Sequence, residues 1–396
     1  MNGKARSGLS SVSRVLIPAL MFQAVAIGGA YATGREIIEF GAAYGALGWA
    51  AGAAMAAVGA LLAFLVYETA RRHGLFDYRA MTRHLIGRAY WLFDAIYIPF
   101  ALAILAVLTS ATGNILDDTL GVPYWGGVLI IVAIAAWVIF QGTEMMERFN
   151  GIGTIALMAG YVLFAILVIA ARWDHIGDVF SSGDHALKPD AGIGDAVILG
   201  AVYVGLGFVI YPSTLITVRH LRSRREAAVS ALLTGGLYVV PWFLTYVALM
   251  GYYPQARVFD APVPWLTMLS DADRWVVVLY GVLVGWTLVA TAVGLIQSVL
   301  VRIDLNLAEL QRPAIGASVR TAVIFAALGT GALLSAIGII DLIAIGYLVG
   351  AVALIVVFGI PLFVRSAKYL WREDPETPTP APDAARARTG KGTGRS

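Results

Sequence analysis

Between Val25 and Gly45 the chain reads VAIGGAYATGREIIEFGAAYG. Gly28, Gly29 and Gly34 fall within seven residues, and Arg35, Glu36 and Glu39 follow directly. The flanking sequence is apolar enough to enter a bilayer. There, glycine in a helix interior costs about 1 kcal/mol relative to alanine, and a charge near the bilayer centre costs roughly 2.5–3.5 kcal/mol. A helix that served only as an anchor would not be written this way. Interrupting it frees backbone N–H and C=O groups at the midplane, which is tolerable only where they line a polar cavity or hold a ligand. Half-helix N-termini then favour an anion and half-helix carbonyls a cation. Glu36 and Glu39 are, in addition, carboxyls that can carry a proton.

The elements that must position these groups are membrane spans. Of 396 residues, 59% are hydrophobic and 13% charged, and the mean hydropathy is +0.78, whereas soluble domains carry about 25% charged residues. Ten Trp and seventeen Tyr suit two interfacial aromatic belts. With no cysteine, disulfides, thiolate metal sites and cysteine nucleophiles are excluded. The chain has no H-E-x-x-H, no G-x-S-x-G, no facing Asp pair and no Walker A sequence. These absences argue against an enzyme and against ATP-driven chemistry within the chain. The implied partners are a lipid bilayer and a small-molecule solute, with no nucleic acid, and the oligomeric state is left open. No organic cofactor is implied.

About 20 apolar residues span the hydrocarbon as helix, and ten such segments are expected, near 15–43, 46–70, 90–116, 124–141, 150–171, 193–218, 227–251, 275–301, 320–338 and 341–364. The run after Arg14 is too long for a signal h-region and lacks a cleavage site, so it is expected to be a retained span. Loops on the N-terminal side carry Arg71, Arg72, Arg79, Arg83, Arg88, Arg148, Arg219, Arg222, Arg224, Arg225, Arg302, Arg312 and Arg320. The opposite loops hold Arg172, Lys188, Arg257 and Arg274, diluted by aspartates. By the positive-inside rule both termini face the cytoplasm of a bacterial inner membrane.

Segment 1 contains IGGAYATG and segment 6 contains VGLGFVIYP, each a small-x-small cluster with an aromatic, and Pro212 closes the second. Five segments separate them, so a repeat of five re-enters the membrane inverted. Paired interrupted helices in two inverted halves point to a transporter's binding site, although small residues also serve close helix packing. The expected fold is therefore all-α and integral to the membrane, with about ten transmembrane helices in a 5+5 inverted repeat and broken helices 1 and 6. The domain plan is an N-terminus at 1–14, a first repeat at 15–171, an external loop at 172–192, a second repeat at 193–364 and a disordered basic tail at 365–396.

The stretch GGAYATGREIIEF resembles the signature of the YkvI-like family of bacterial membrane proteins, within the amino acid–polyamine–organocation superfamily and its LeuT-type fold. The resemblance implies residue roles by analogy with the bacterial leucine transporter. A substrate would meet Ala26, Gly28, Gly29 and Ala30 in helix 1 and Tyr203, Gly205 and Phe208 in helix 6, whose GLGF is similar to that transporter's SLGF. Thr109 and Ser110 in helix 3 offer hydroxyls where the family has a tyrosine. One sodium ion would lie between Thr287, Ala290 and Thr291 of helix 8 and the carbonyls of Ala24 and Ile27. Tyr31 stands where a second sodium site needs Asn, so one site is implied. Asp341 stands where the resembling fold has an acidic gate residue. Arg35 and Glu36 lie outward of the break, and Arg35 could pair with Asp341 or locally with Glu36 or Glu39.

Asp304 could pair with Arg6 or Arg14 as an inner gate, or remain solvated. Glu68 and Asp94 are expected at the interface. The histidines at 73, 84, 175, 185 and 220 are expected in loops, and helix 5 contains no lysine. The functional expectation is a secondary active transporter of a small organic solute, an amino acid or a related amine or nucleobase-like compound, with sodium symport. The alternatives are proton coupling and a nutrient-sensing receptor on a transporter fold.

Overall fold

The Trp49–His73 segment shows why these runs become helices. Its 25 residues give a helix of about 37 Å at 1.5 Å per residue, longer than the ~30 Å hydrocarbon layer. It ends where it should, with Arg71, Arg72 and His73 in the last turn, facing the negative helix end, and Gly74 in the left-handed conformation at φ 67°. The computed structural model describes residues 10–26, 32–141, 145 and 159–370, and among them helices account for the regular structure, with no strand. The expected features at Ile27 to Tyr31, including Gly28, Gly29 and Ala30, lie outside these residues, as does the tail beyond 370.

The helices are α1 (Ser11–Ala26), α2 (Arg35–Glu39), α3 (Trp49–His73), α4 (Tyr78–Ile86), α5 (Trp91–Leu120) and α6 (Tyr124–Phe140). There follow α7 (Ala159–Ala171), α8 (Trp173–Ser182), α9 (Ile193–Tyr203), α10 (Tyr211–Val218) and α11 (Arg224–Met250). The chain continues with α12 (Ala256–Phe259), α13 (Pro264–Leu269), α14 (Arg274–Glu309) and α15 (Ala317–Leu334). The last, α16 (Ile339–Ala367), contains two π-helical stretches at Leu342–Tyr347 and Ile355–Gly359. Among the described residues, six helices are long and apolar enough to cross a membrane, and a seventh span forms if the bent pair around Ile210 is counted as one. Three shorter apolar helices, α1, α6 and α7, fall on other expected segments. This is a multi-pass helical membrane protein.

The helices pack in two groups. In one, α3 lies against α11 and α9, and α1 against α11 and α10. In the other, α5 packs on α6, α14 and α15, and α6 on α14. The contact of α3 with α9 and α11 is close because glycines stand at it. A Cβ on Gly200 would lie 2.2 Å from the Ala51 carbonyl oxygen, and one on Gly235 would lie 2.6 Å from that of Ala56. Within a bilayer, where burial of apolar surface does not drive association, such backbone approach supplies the dispersion contacts that hold helices together. α16 lies between the groups, touching α5, α9 and the 204–209 stretch.

Charges collect at helix ends and are paired. Asp94, in the first turn of α5, and Glu68, near the end of α3, are buried. Arg302 donates to Asp94 at 2.7 Å and lies 3.6 Å from the Tyr97 ring centre. Arg71 and Arg72 each meet Glu68 at 2.9 Å. Asp304 pairs with Arg320 at 2.6 Å, while Arg14 meets Glu226 at 2.6 Å, so the Asp304–Arg14 gate is not formed. His73, His84 and His175 lie on helices α3, α4 and α8 rather than in irregular loops.

Candidate functional site

Two interrupted helices meet at the centre of the first packing group. Gly34 has φ 83°, a left-handed conformation that ends helical continuity before α2 begins at Arg35. In the second, α9 ends at Tyr203, a tighter 3₁₀ stretch runs over Val204–Val209, and α10 leaves at an angle of 66°. Pro212 falls in the first turn of α10, where its missing N–H leaves no helical hydrogen bond unmade. The small-residue cluster of segment 6 therefore marks a break in the backbone, while that of segment 1 lies, up to Tyr31, outside the described residues.

Across the breaks, one side chain from each helix joins the other. The Tyr203 hydroxyl donates to Glu36 Oε2 at 2.6 Å. Glu36 is 7% exposed. Tyr203 in turn stacks on Tyr238 with ring centres 6.2 Å apart and on Phe40 at 4.8 Å. Tyr161, Tyr238 and Tyr347 lie within electrostatic reach of the same carboxyl. Tyr347 closes the first π-helical stretch of α16, a local widening of the kind often found at functional sites. Sequence reasoning had assigned Glu36 to a gate and Tyr203 to a substrate wall, and the structure brings the two together. Tyr161, Tyr238 and Tyr347 were missed, because a tyrosine in an apolar span carries no periodic signal saying which neighbour its hydroxyl will meet.

The neighbouring Arg35 is committed elsewhere. It donates to the carbonyls of Phe259 at 2.5 Å and Ala261 at 3.4 Å, and pairs with Glu39. Of the pairings open from the sequence, the local one is the one formed, and Asp341 is exposed and not its partner. The loop bearing α12 and α13 thus grips α2. Trp265 of α13 sits over Gly34, with its Nε1 donating to the Tyr161 hydroxyl at 3.0 Å. From α14, Tyr280 donates to the Ala32 carbonyl at 2.9 Å.

The other residues singled out from the sequence are spread around this centre. A Cβ on Gly205 would lie 2.8 Å from the Ala351 carbonyl oxygen, so this glycine lets the broken helix approach α16. Phe208 is fully buried against Phe358, ring centres 5.1 Å apart. Thr109 donates to carbonyls of Leu105 and Ala106 and to Gly331 of α15 at 3.2 Å. Ala26 is half-buried at the end of α1. Of the sodium set, Ala24 is exposed, Ala290 and Thr291 are half-buried, and Thr287 is buried with its hydroxyl on the Leu283 carbonyl at 3.0 Å. The main packing partners of α1 are α11 and α10 rather than α14, which carries the three residues from 287 to 291.

A cavity of about 420 Å³ opens beside this assembly. Ser110, Asn114, Tyr124, Pro262, Ser335 and Asp341 contribute to its wall. The Tyr124 hydroxyl donates to the Ser335 carbonyl at 2.9 Å and to Ser110 Oγ at 3.1 Å, tying α6, α5 and the 335–341 turn together. Ser110 lines this cavity while Thr109, one residue before it, faces α15.

No protein-family model and no curated protein matches the chain. Among solved structures, it is similar to a Na+-coupled sialic acid symporter in a substrate-bound, outward-open state, with 14% identity over 89% of this chain and 85% of that one and a TM-score of 0.54. This is a membrane-transporter fold. A mutant of the Eremococcus coleocola manganese transporter is matched at 12% identity over 95% of this chain and 91% of that one, with a TM-score of 0.49.

Proposed function

We propose that this chain is a secondary active transporter of a small organic solute, such as an amino acid or a related amine or nucleobase-like compound. It would work by alternating access around a midplane site between helices 1 and 6. The observation that carries the reading is the meeting of two broken helices, one bent by 66° and the other interrupted at Gly34, with buried polar side chains at the junction. Irregular backbone at membrane depth is stable only inside protein or beside a polar site, and discontinuous helices in matching places are how transporter folds build such a site.

The two packing groups support the 5+5 inverted repeat. Segments 1 and 2 pack with 6 and 7, while 3 and 4 pack with 8 and 9, so each group is mapped onto itself by a shift of five. That pairing and the arginine-rich loops support a reading with ten spans and both termini cytoplasmic in a bacterial inner membrane. The substrate wall would draw on Ala26, Gly28, Gly29, Ala30, Tyr203, Gly205, Phe208 and Thr109, with Arg35, Glu36 and Asp341 controlling the outer approach.

The coupling ion has two candidate seats. Sodium would use oxygens from Ala24, Ile27, Thr287 and Thr291, with Ala290 beside them. A proton would use Glu36, and its hydrogen bond with Tyr203 favours this seat. The deciding experiment is a thermal-shift screen of purified protein against amino acids, amines and nucleobases, in sodium and in potassium, followed by uptake into proteoliposomes. A hit accumulated against its gradient supports transport. Binding without uphill flux replaces it with a nutrient-sensing receptor.

A further inference from the structure

We infer that Glu36 is the proton-carrying group of this protein, and that its hydrogen bond with Tyr203 ties proton release to the relative movement of the two broken helices. The inference rests on the transport reading and deepens it by naming the coupling ion and its seat.

An ionised carboxyl in a low-dielectric interior costs several kcal/mol unless an opposite charge meets it. Glu36 is 7% exposed, and among the described residues no ion pair reaches it. The terminal nitrogens of Arg35 donate to Glu39 and to the carbonyls of Phe259 and Ala261, and its buried Nε has no hydrogen-bond partner among the described residues. The groups that face Glu36 from the elements packed around it are phenols: Tyr203 from α9, Tyr238 from α11, Tyr161 from α7 and Tyr347 from α16. Arg35 and Glu39 are the charged groups on its own helix. Among the described residues no positive partner meets this carboxyl.

Size and ligand chemistry narrow the choice. A sodium ion asks for several hard oxygens around it, whereas one hydroxyl, that of Tyr203, is within hydrogen-bond distance of this carboxyl among the described residues. An organic ammonium asks for volume, and the rings are packed, Phe40 on Tyr203 at 4.8 Å and Tyr203 on Tyr238 at 6.2 Å. A proton needs neither. With Glu36 on the outer half of helix 1 and Tyr203 on the last turn before the break in helix 6, any swing of one half against the other separates hydroxyl from carboxyl. Water that reaches the carboxyl then takes the proton: the O–H bond breaks, hydronium leaves, and the carboxylate remains until the helices close again. Arg35 holds α2 to the loop bearing α12 and α13 and pairs with Glu39.

The test uses the purified full-length protein and pH itself as the probe. Infrared difference spectra across a pH titration should show a protonated-carboxyl C=O band that shifts in D2O, is lost in E36Q and is retained in E39Q and D341N. Tyr203→Phe should keep the band and move its midpoint by about one pH unit, the effect of one hydrogen bond to a charged group. Exchanging choline chloride for sodium chloride, or adding methylammonium, should leave the band unchanged. A band that persists in E36Q overturns the inference, as does one that sodium or methylammonium abolishes, which would make Glu36 the seat of a metal ion or an amine. Should E36Q fail to fold, an unmoved midpoint in Tyr203→Phe overturns it equally. Transport is judged separately: a Glu36-dependent band in a protein that moves no solute in proteoliposomes sinks the transporter reading and leaves the proton site standing.

Discussion

Gly34→Ala should destabilise the protein through two separable effects. Residue 34 has φ 83°, a conformation that costs an L-residue with a Cβ roughly 1–2 kcal/mol. The new methyl would also stand 3.0 Å from Trp265 Cδ1. Trp265 cannot easily give way, being 1% exposed and hydrogen-bonded to the Tyr161 hydroxyl at 3.0 Å. Overpacking of that kind costs about 1–3 kcal/mol, for a total of about 2–5 kcal/mol. The assay is a double-mutant cycle on purified protein in detergent, with unfolding followed for wild type, Gly34→Ala, Trp265→Leu and the pair. Removing the indole should bring the alanine cost back to about 1–2 kcal/mol, the part due to backbone conformation, and reveal a coupling of about 1–3 kcal/mol. A neutral Gly34→Ala would mean that residue 34 is not left-handed. An unchanged cost in the Trp265→Leu background would mean that the indole does not cap the break.

Single cysteines placed at Ser223 and Ser182 of this cysteine-free chain should react with impermeant thiol reagents from opposite faces, Ser223 from the cytoplasm and Ser182 from outside. Labelling of both from one face would end the ten-span topology. Thr291→Val, nearly isosteric without the hydroxyl, should abolish sodium-stimulated uptake if sodium sits on α14. Equal uptake in choline and sodium buffers at a fixed proton gradient would remove that seat. On the outer loop, the Arg257 guanidinium hydrogen-bonds Asp271 and holds its carboxyl below the ordinary value. That contribution is present above the unfolded carboxylate range and is lost as pH falls through the folded value. Both partners are exposed, so Asp271→Asn should differ from wild type in thermal midpoint at neutral pH and low salt, and converge with it in acid and in high salt. A difference that survives high salt would show the pair to be sheltered.

The sequence by itself determined what depends on local composition. Twenty-residue apolar runs must be helices in lipid, because no other conformation satisfies the backbone there, and among the described residues six or seven such spans and three shorter apolar helices fall on expected segments. Pro212 marked the close of the second interruption because a missing N–H is a property of the residue type, whereas the break expected at Ala26 to Ala30 lies, beyond Ala26, outside the described residues. Side-chain partners were decided by tertiary structure alone. Arg14 lies 212 residues from its Glu226 partner and Glu36 lies 167 residues from Tyr203, and nothing in either local stretch encodes the distant one. The same holds for Gly205. Its place in a small-residue cluster suggested a wall kept clear for a ligand, and the packed helices also bring it close to the Ala351 carbonyl. A glycine announces that backbone approaches something closely, and only the arrangement of helices in space says whether that something is a ligand or another helix.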